Sequence, residues 1–232
     1  DVYVGVEYTD DTEYNKIYKY SRNDEFVTSW GERGTGLGQF SDIIALNLDS
    51  DGYIYVLDEA GKVAKFTPDG TFVYEFNHGI VPNPGESIVD IAIDNTDTIM
   101  VSYQQYVYLY DQTGGYIDRR DISTEAYWGE AVSWLRIDVN SDGEILIGDD
   151  GNQGIYYYDD SFALLDRFLS KISWEGGIIP SYASDGDMVI DVNGNLFFTN
   201  NLDKTTVYNS EGILIDALEI YAAGGMDFDN QG

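Results

Sequence analysis

Apolar and polar residues alternate in short runs along this chain, and clusters of Asp, Asn and Gly interrupt the runs. Lys16 to Tyr20 leads through Ser21-Arg22-Asn23-Asp24 into Glu25-Phe26-Val27. Lys62 to Phe66, Thr67-Pro68-Asp69-Gly70 and Thr71-Phe72-Val73 repeat the pattern, as do Tyr106 to Tyr110, Asp111-Gln112-Thr113-Gly114 and Gly115-Tyr116-Ile117. Weaker copies run through residues 155–164 and 205–215. A period of two with Asp, Asn and Gly at the reversals predicts antiparallel hairpins. No segment sustains an apolar period of 3.6, so helix is expected to be scarce.

A second pattern precedes each hairpin. Asp49-Ser50-Asp51-Gly52, Asp94-Asn95-Thr96-Asp97, Asn140-Ser141-Asp142-Gly143 and Asp191-Val192-Asn193-Gly194 are each followed by an extended apolar run. A fifth copy, Asp229-Asn230-Gln231-Gly232, ends the chain, and Asp1-Val2-Tyr3-Val4 supplies the run that belongs after it. The fourth turn positions, Gly52, Asp97, Gly143, Gly194 and Gly232, are 45, 46, 51 and 38 residues apart. A repeat of this length matches one four-stranded propeller blade. One blade cannot bury both faces, whereas five in a ring can. The expected fold is therefore an all-β, five-bladed β-propeller of four-stranded antiparallel blades, one domain over 1–232. Its blades fall at about 225–232 plus 1–30, 41–76, 88–121, 133–168 and 186–219. The C-terminal strand A is expected to close the ring on the N-terminal strands B to D. That split blade reads as a whole ring rather than a fragment of a larger one.

The segment Trp30-Gly31-Glu32-Arg33-Gly34-Thr35-Gly36-Leu37-Gly38-Gln39-Phe40 resembles the glycine-rich, Gln-Phe-terminated inter-blade signature of NHL-repeat propellers. Ile54 to Asp58 and Lys62 to Phe66 follow in NHL order, so the resemblance covers residues 30–76. The other blades keep the hairpins and lose the glycine-rich link. Ser41-Asp42-Ile43-Ile44 stands where NHL repeats carry Pro-x-Gly. The resemblance implies a propeller whose relatives include RNA-binding and protein-binding modules, lyases and hydrolases. A fold of this kind does not choose among them.

Charge narrows the choice. The 232 residues include 42 acidic and 12 basic side chains, a net charge of −30. Binding to a phosphate backbone needs Lys and Arg, so no nucleic-acid partner is expected. Anionic membrane surfaces are disfavoured too. No stretch reaches the roughly 18–20 apolar residues of a membrane span, and no basic-then-apolar leader is present. The absence of Cys excludes disulfides, thiolate nucleophiles and Cys-ligated metals. The chain begins at Asp1 rather than Met, which reads as a processed form or a piece of something longer.

Candidate chemistry concentrates in the loops. Trp30 and Glu32, Trp128 and Glu130, and Trp174 and Glu175 recur in three D-to-A links. Propeller topology puts these links on one face with the B-to-C loops, which carry Asp58 and Asp149. Rings beside carboxylates suit glycan or protein ligands, and they equally suit packing between blades. Asp138, Asn140 and Asp142 have the spacing of an EF-hand loop. Asp149, at the twelfth position, lies roughly 20 Å away if the intervening residues are extended at about 3.3 Å each. These turns are read first as Asp or Asn bonding its own backbone with a positive φ at Gly. Weak surface calcium is the alternative and the one cofactor the pattern admits. His78, the only histidine, is expected to be a loop residue and cannot make a three-His zinc site.

Three functions fit these residues. The leading one is a non-catalytic binding or assembly module, extracellular or at the cell surface, that engages a protein or glycan through the loop face. The second is a divalent-cation-dependent hydrolase or lyase with a carboxylate-lined central channel. The third is a structural repeat domain of a larger surface protein or filament.

Overall fold

The computed structural model describes residues 1–6, 15–21, 23, 25–83, 88–123, 135–149, 154–169, 188–191, 193–198, 205–209, 213–218 and 226–228. Among them, twenty strands form five four-stranded antiparallel sheets. β1 (Val2–Val6), β2 (Lys16–Tyr20) and β3 (Phe26–Trp30) belong to blade one. Blade two is β4 (Ile43–Leu48), β5 (Ile54–Asp58), β6 (Lys62–Phe66) and β7 (Phe72–Asn77). Blade three is β8 (Ile88–Ile93), β9 (Ile99–Tyr103), β10 (Tyr106–Tyr110) and β11 (Tyr116–Asp121). Blade four is β12 (Leu135–Val139), β13 (Ile145–Asp149), β14 (Gly154–Tyr158) and β15 (Leu164–Leu169). Blade five is β16 (Met188–Ile190), β17 (Leu196–Phe198), β18 (Thr205–Tyr208) and β19 (Leu214–Leu218). The last strand, β20 (Met226–Phe228), pairs with β1 and completes blade one, with Val2 opposite Phe228 and Val4 opposite Met226. The first strands of the blades touch in the order β4, β8, β12, β16, β20 and back to β4, so the five sheets form a ring.

The second strand of each blade is apolar at nearly every position because both of its faces are covered. In β5, Ile54 and Val56 pack toward blade one with Tyr3, Ile17 and Phe66. Tyr55 and Leu57, which point the other way, pack toward blade three with Ile91, Ile99 and Val101. In β13, Ile145 and Ile147 face blade three while Leu146 faces blade five. Period-two geometry thus divides one strand between two inter-blade cores. Each fully buried Ile, Val or Leu contributes about 1.5–3 kcal/mol. The fourth strands are the outer edge, and there Val27, Val73, Ile117, Leu165 and Ile215 occupy one repeated, exposed position.

One turn design joins first to second and third to fourth strands, at one end of each sheet. Between first and second strands, the side-chain oxygen of Asp49, Asp94, Asn140 or Asp191 accepts from the backbone N–H groups two and four residues on, at 2.8–3.1 Å. The fourth turn residue lies at positive φ, +80° at Gly52 and +60° at Asp97. Between third and fourth strands, Asp111 and Asp159 do the same, with hydroxyls in this role at Ser21 and Thr67. The Asp-rich sequence is therefore largely a record of Asx-capped turns.

The first strand has a sheet neighbour on one side only, so its inner-edge N–H groups need other acceptors. Side chains of the adjacent blade supply them. Oδ1 of Asn47 accepts from Ile93 N–H at 2.9 Å, Oδ2 of Asp90 from Ile137 N–H at 3.0 Å, and Oδ2 of Asp138 from Ile190 N–H at 2.8 Å.

Candidate functional site

The link between blades one and two is held by a closed set of hydrogen bonds. Phe40 is fully buried at its base. Its N–H donates to the Glu32 carbonyl at 3.0 Å, and its carbonyl accepts from Gly34 N–H at 2.8 Å. Gln39 crosses the loop, accepting from Gly36 N–H at 2.9 Å and donating to Oε1 of Glu32 at 2.5 Å. From blade two, the Lys62 ammonium donates to the Gly36 and Gln39 carbonyls. Oε2 of Glu75 lies 3.3 Å from that ammonium and accepts from Gly38 N–H at 3.2 Å. These bonds hold the loop in one shape with Leu37 exposed at its tip. Val81, in the next link, is likewise exposed.

Trp30 ends β3 but does not present its ring to the loop face. The ring is half-buried between blades, 6.2 Å from Tyr3 edge-on and 6.2 Å from Phe66. It lies against Gly70, where an added Cβ would come within 2.6 Å of the indole. Phe76, at the corresponding position of β7, covers Gly114 in the same way. Glu32 is exposed and bonded to Gln39. Trp128, Glu130, Trp174 and Glu175 lie outside the described residues. Asp149 ends β13 opposite Leu135 and Gly154, and its side chain is outside the described set.

Asp58 is buried where β5 turns toward β6. Its Oδ1 accepts from Lys62 N–H at 2.9 Å and its Oδ2 from Ser41 N–H at 3.2 Å, so the carboxylate ties the turn to the preceding link. His78 lies in the link that follows β7, as the sequence leads one to expect. It is buried against Gly61, and its Nδ1 accepts from Ile80 N–H at 3.1 Å. The Tyr110 hydroxyl of blade three donates to its carbonyl at 2.6 Å. Burial pulls the imidazole down from 6.5 to about 4, and the Asp58 carboxylate opposes that shift. Nothing local in Asn77-His78-Gly79 signals this, because the covering residues come from elsewhere in blade two and from blade three.

Asp138, Asn140 and Asp142 are given separate work. Asp138 is buried on β12, where Oδ1 accepts from the adjacent Val139 N–H at 2.8 Å and from Nδ2 of Asn47 at 3.4 Å. Asn140 caps its turn, and Asp142 is exposed. Among the described residues, no group of three or more His, Cys, Asp or Glu side chains is arranged to hold a metal ion.

No family model matches the chain, and no curated protein does. Virginiamycin B lyase from Staphylococcus aureus superposes with a TM-score of 0.53 at 15% identity, over 92% of this chain and 67% of that one. A streptogramin B lyase structure gives 0.53 at 15%, over 90% and 65%. A protein of unknown function from Bacteroides caccae gives 0.52 at 11%, over 97% of both chains. This chain thus spans about two thirds of the lyase structures' length. At these identities the likeness shows the β-propeller fold and nothing finer.

Proposed function

We propose that this propeller is a non-catalytic binding module, working outside the cell or at its surface, whose loop face engages a protein. The observation that carries the reading is the pre-shaped link of residues 31–40. Its exposed Leu37 tip is held by Gln39, Lys62 and Glu75, and Val81 stands exposed on the next link. A rigid loop with an apolar tip loses little entropy on binding. The buried carboxylates favour this reading over channel catalysis. Oxygens of Asp58, Asp90 and Asp138 accept from backbone N–H groups that hold turns and blades in place. A glycan remains the second kind of ligand for the same face.

The test is capture by the immobilised chain, paired with a glycan array, for the parent and a Leu37→Asp/Val81→Asp variant. Ligands held by the parent and released by the variant support the reading. An empty array together with an empty capture, or signals equal in both proteins, would overturn it.

A further inference from the structure

The five blades repeat one hairpin, but the crevices between them are furnished differently. In blade one, Lys19 stands opposite Tyr3 in the register. Its Nζ lies 2.9 Å from Oδ2 of Asp1, the residue just before β1, and donates to the Pro68 carbonyl of blade two at 2.9 Å. In blade two, Lys65 holds the corresponding place opposite Tyr55. Its Nζ lies 2.7 Å from both Oδ2 of Asp49 and the Tyr55 hydroxyl, and 4.3 Å and 4.6 Å from the ring centres of Tyr53 and Tyr55. Each crevice thus encloses one ammonium group with a carboxylate and a tyrosine ring.

In blade four this place belongs to Tyr157, opposite Leu146. The counterpart of Asp1, just before β13, is Glu144. Blade four has a carboxylate there, where blades two, three and five have Tyr53, Thr98 and Asn195, and it has tyrosine where blades one and two have lysine and blades three and five have Leu109 and Val207. Between blades four and five lies a cleft of about 420 Å³ lined by Asn140, Asp142, Glu144, Tyr157, Leu165 and Ile190. Its volume is that of a small-molecule site. Nδ2 of Asn140 donates to Oε2 of Glu144 at 2.8 Å, which fixes the carboxylate at the cleft wall. Among the described residues, neither Asp142 nor Glu144 is ion-paired with Lys or Arg. The Tyr157 hydroxyl is pushed up to about 12 by burial and then by the Glu144 and Asp166 carboxylates, a sign of negative potential in the cleft.

We infer that this cleft binds an aliphatic primary ammonium, free or at the tip of a lysine side chain, where blades one and two seat their own lysines. Glu144 is its counter-ion, through a charge-assisted hydrogen bond. Leu165 and Ile190 offer apolar surface to the stem, as burial of a lysine stem requires. The cleft lies on the turn side, away from the Leu37 loop, so this inference stands or falls apart from the loop-face reading.

The test is calorimetric titration of the whole chain, at constant ionic strength, with cadaverine and with a blocked Gly-Lys-Gly peptide. Saturable binding is expected, weakened about tenfold by Glu144→Gln, since one charged hydrogen bond is lost. Tyr157→Lys, which installs the built-in ammonium of blades one and two, is expected to abolish it. Asp142→Asn, at an exposed position, gives a milder loss in a variant whose fold is not at risk, and thermal melts check all three. Tighter binding of the peptide assigns the site to a lysine side chain, and tighter cadaverine binding assigns it to a free amine. No saturable binding of either, equal competition by tetramethylammonium, or titrations unchanged in the variants would overturn the inference.

Discussion

Acidification is expected to weaken the propeller through His78, and His78→Gln isolates the effect. The imidazole is 5% exposed and is held near 4 mainly by burial, against 6.5 in the unfolded chain. Above about pH 6.5 the ring is neutral in both states, and the stability linked to it is fully present. Between 6.5 and 4 only the unfolded chain takes up the proton, so stability is lost as pH falls. At about 1.36 kcal/mol per pH unit, the loss is about 2 kcal/mol at pH 5 and about 3 kcal/mol at pH 4. Gln keeps a polar side chain of similar length and does not titrate. Urea unfolding of both proteins at pH 7, 6 and 5 gives the comparison, and the many carboxylates shared by the two cancel in the difference. The parent should lose about 2 kcal/mol more than the variant between pH 7 and pH 5. Parallel pH dependence in the two proteins would refute the argument, because it would mean that the ring titrates in the folded state as it does in water.

Trp30→Ala is expected to lower stability by about 2–4 kcal/mol, somewhat below the roughly 3–5 kcal/mol for a fully buried large ring because the indole is half-buried, with ligand capture at Leu37 unchanged. A variant as stable as the parent in chemical unfolding would show that the Tyr3–Trp30–Phe66 contact is not structural. Removing residues 225–232 takes away β20 and leaves β1 without its inner neighbour. The cooperative thermal transition followed by circular dichroism should then be lost, and a peptide of those eight residues added in trans should restore it. A full transition in the truncated chain would contradict the pairing.

The blades were legible because their turns use one chemistry. Asp or Asn at the first turn position and a residue tolerant of positive φ at the fourth recur from Asp49 to Gly194. The ring packing was less legible, since its signal spans two blades. Trp30 sits in the same tripeptide setting as a binding residue would. What places it between blades is Gly70, forty residues later, which leaves room for the indole. Phe76 and Gly114 form the matching pair, and in blade three Arg120 takes the ring's place, 5.7 Å over Phe162. A pairing rule of this kind, large group at the end of one fourth strand and small turn residue in the next blade, could have found the contact. The unbroken apolar run Ile54 to Leu57 carried a similar message: a strand covered on both faces has no reason to alternate.

Forty-two carboxylates cannot all be read as chemistry, and the structure supplies a way to sort them. Some cap turns, as Asp49 and Asp94 do, and their oxygens are bonded to N–H groups two and four residues on. Others complete the inner edges of first strands, as Asp90 and Asp138 do, because that edge has no backbone partner within its own sheet. The turn caps recur at one register, whereas the inner-edge acceptors fall two residues before the turn at Asn47 and Asp138 and four before it at Asp90. A carboxylate outside the recurrence is the informative one. Glu144 stands where other blades carry Asp1, Tyr53, Thr98 and Asn195, and among these Asp1 meets a lysine of its own blade. In a repeat protein, the departure from the repeat is where binding has room to differ from folding, and that reasoning leads to the cleft between blades four and five.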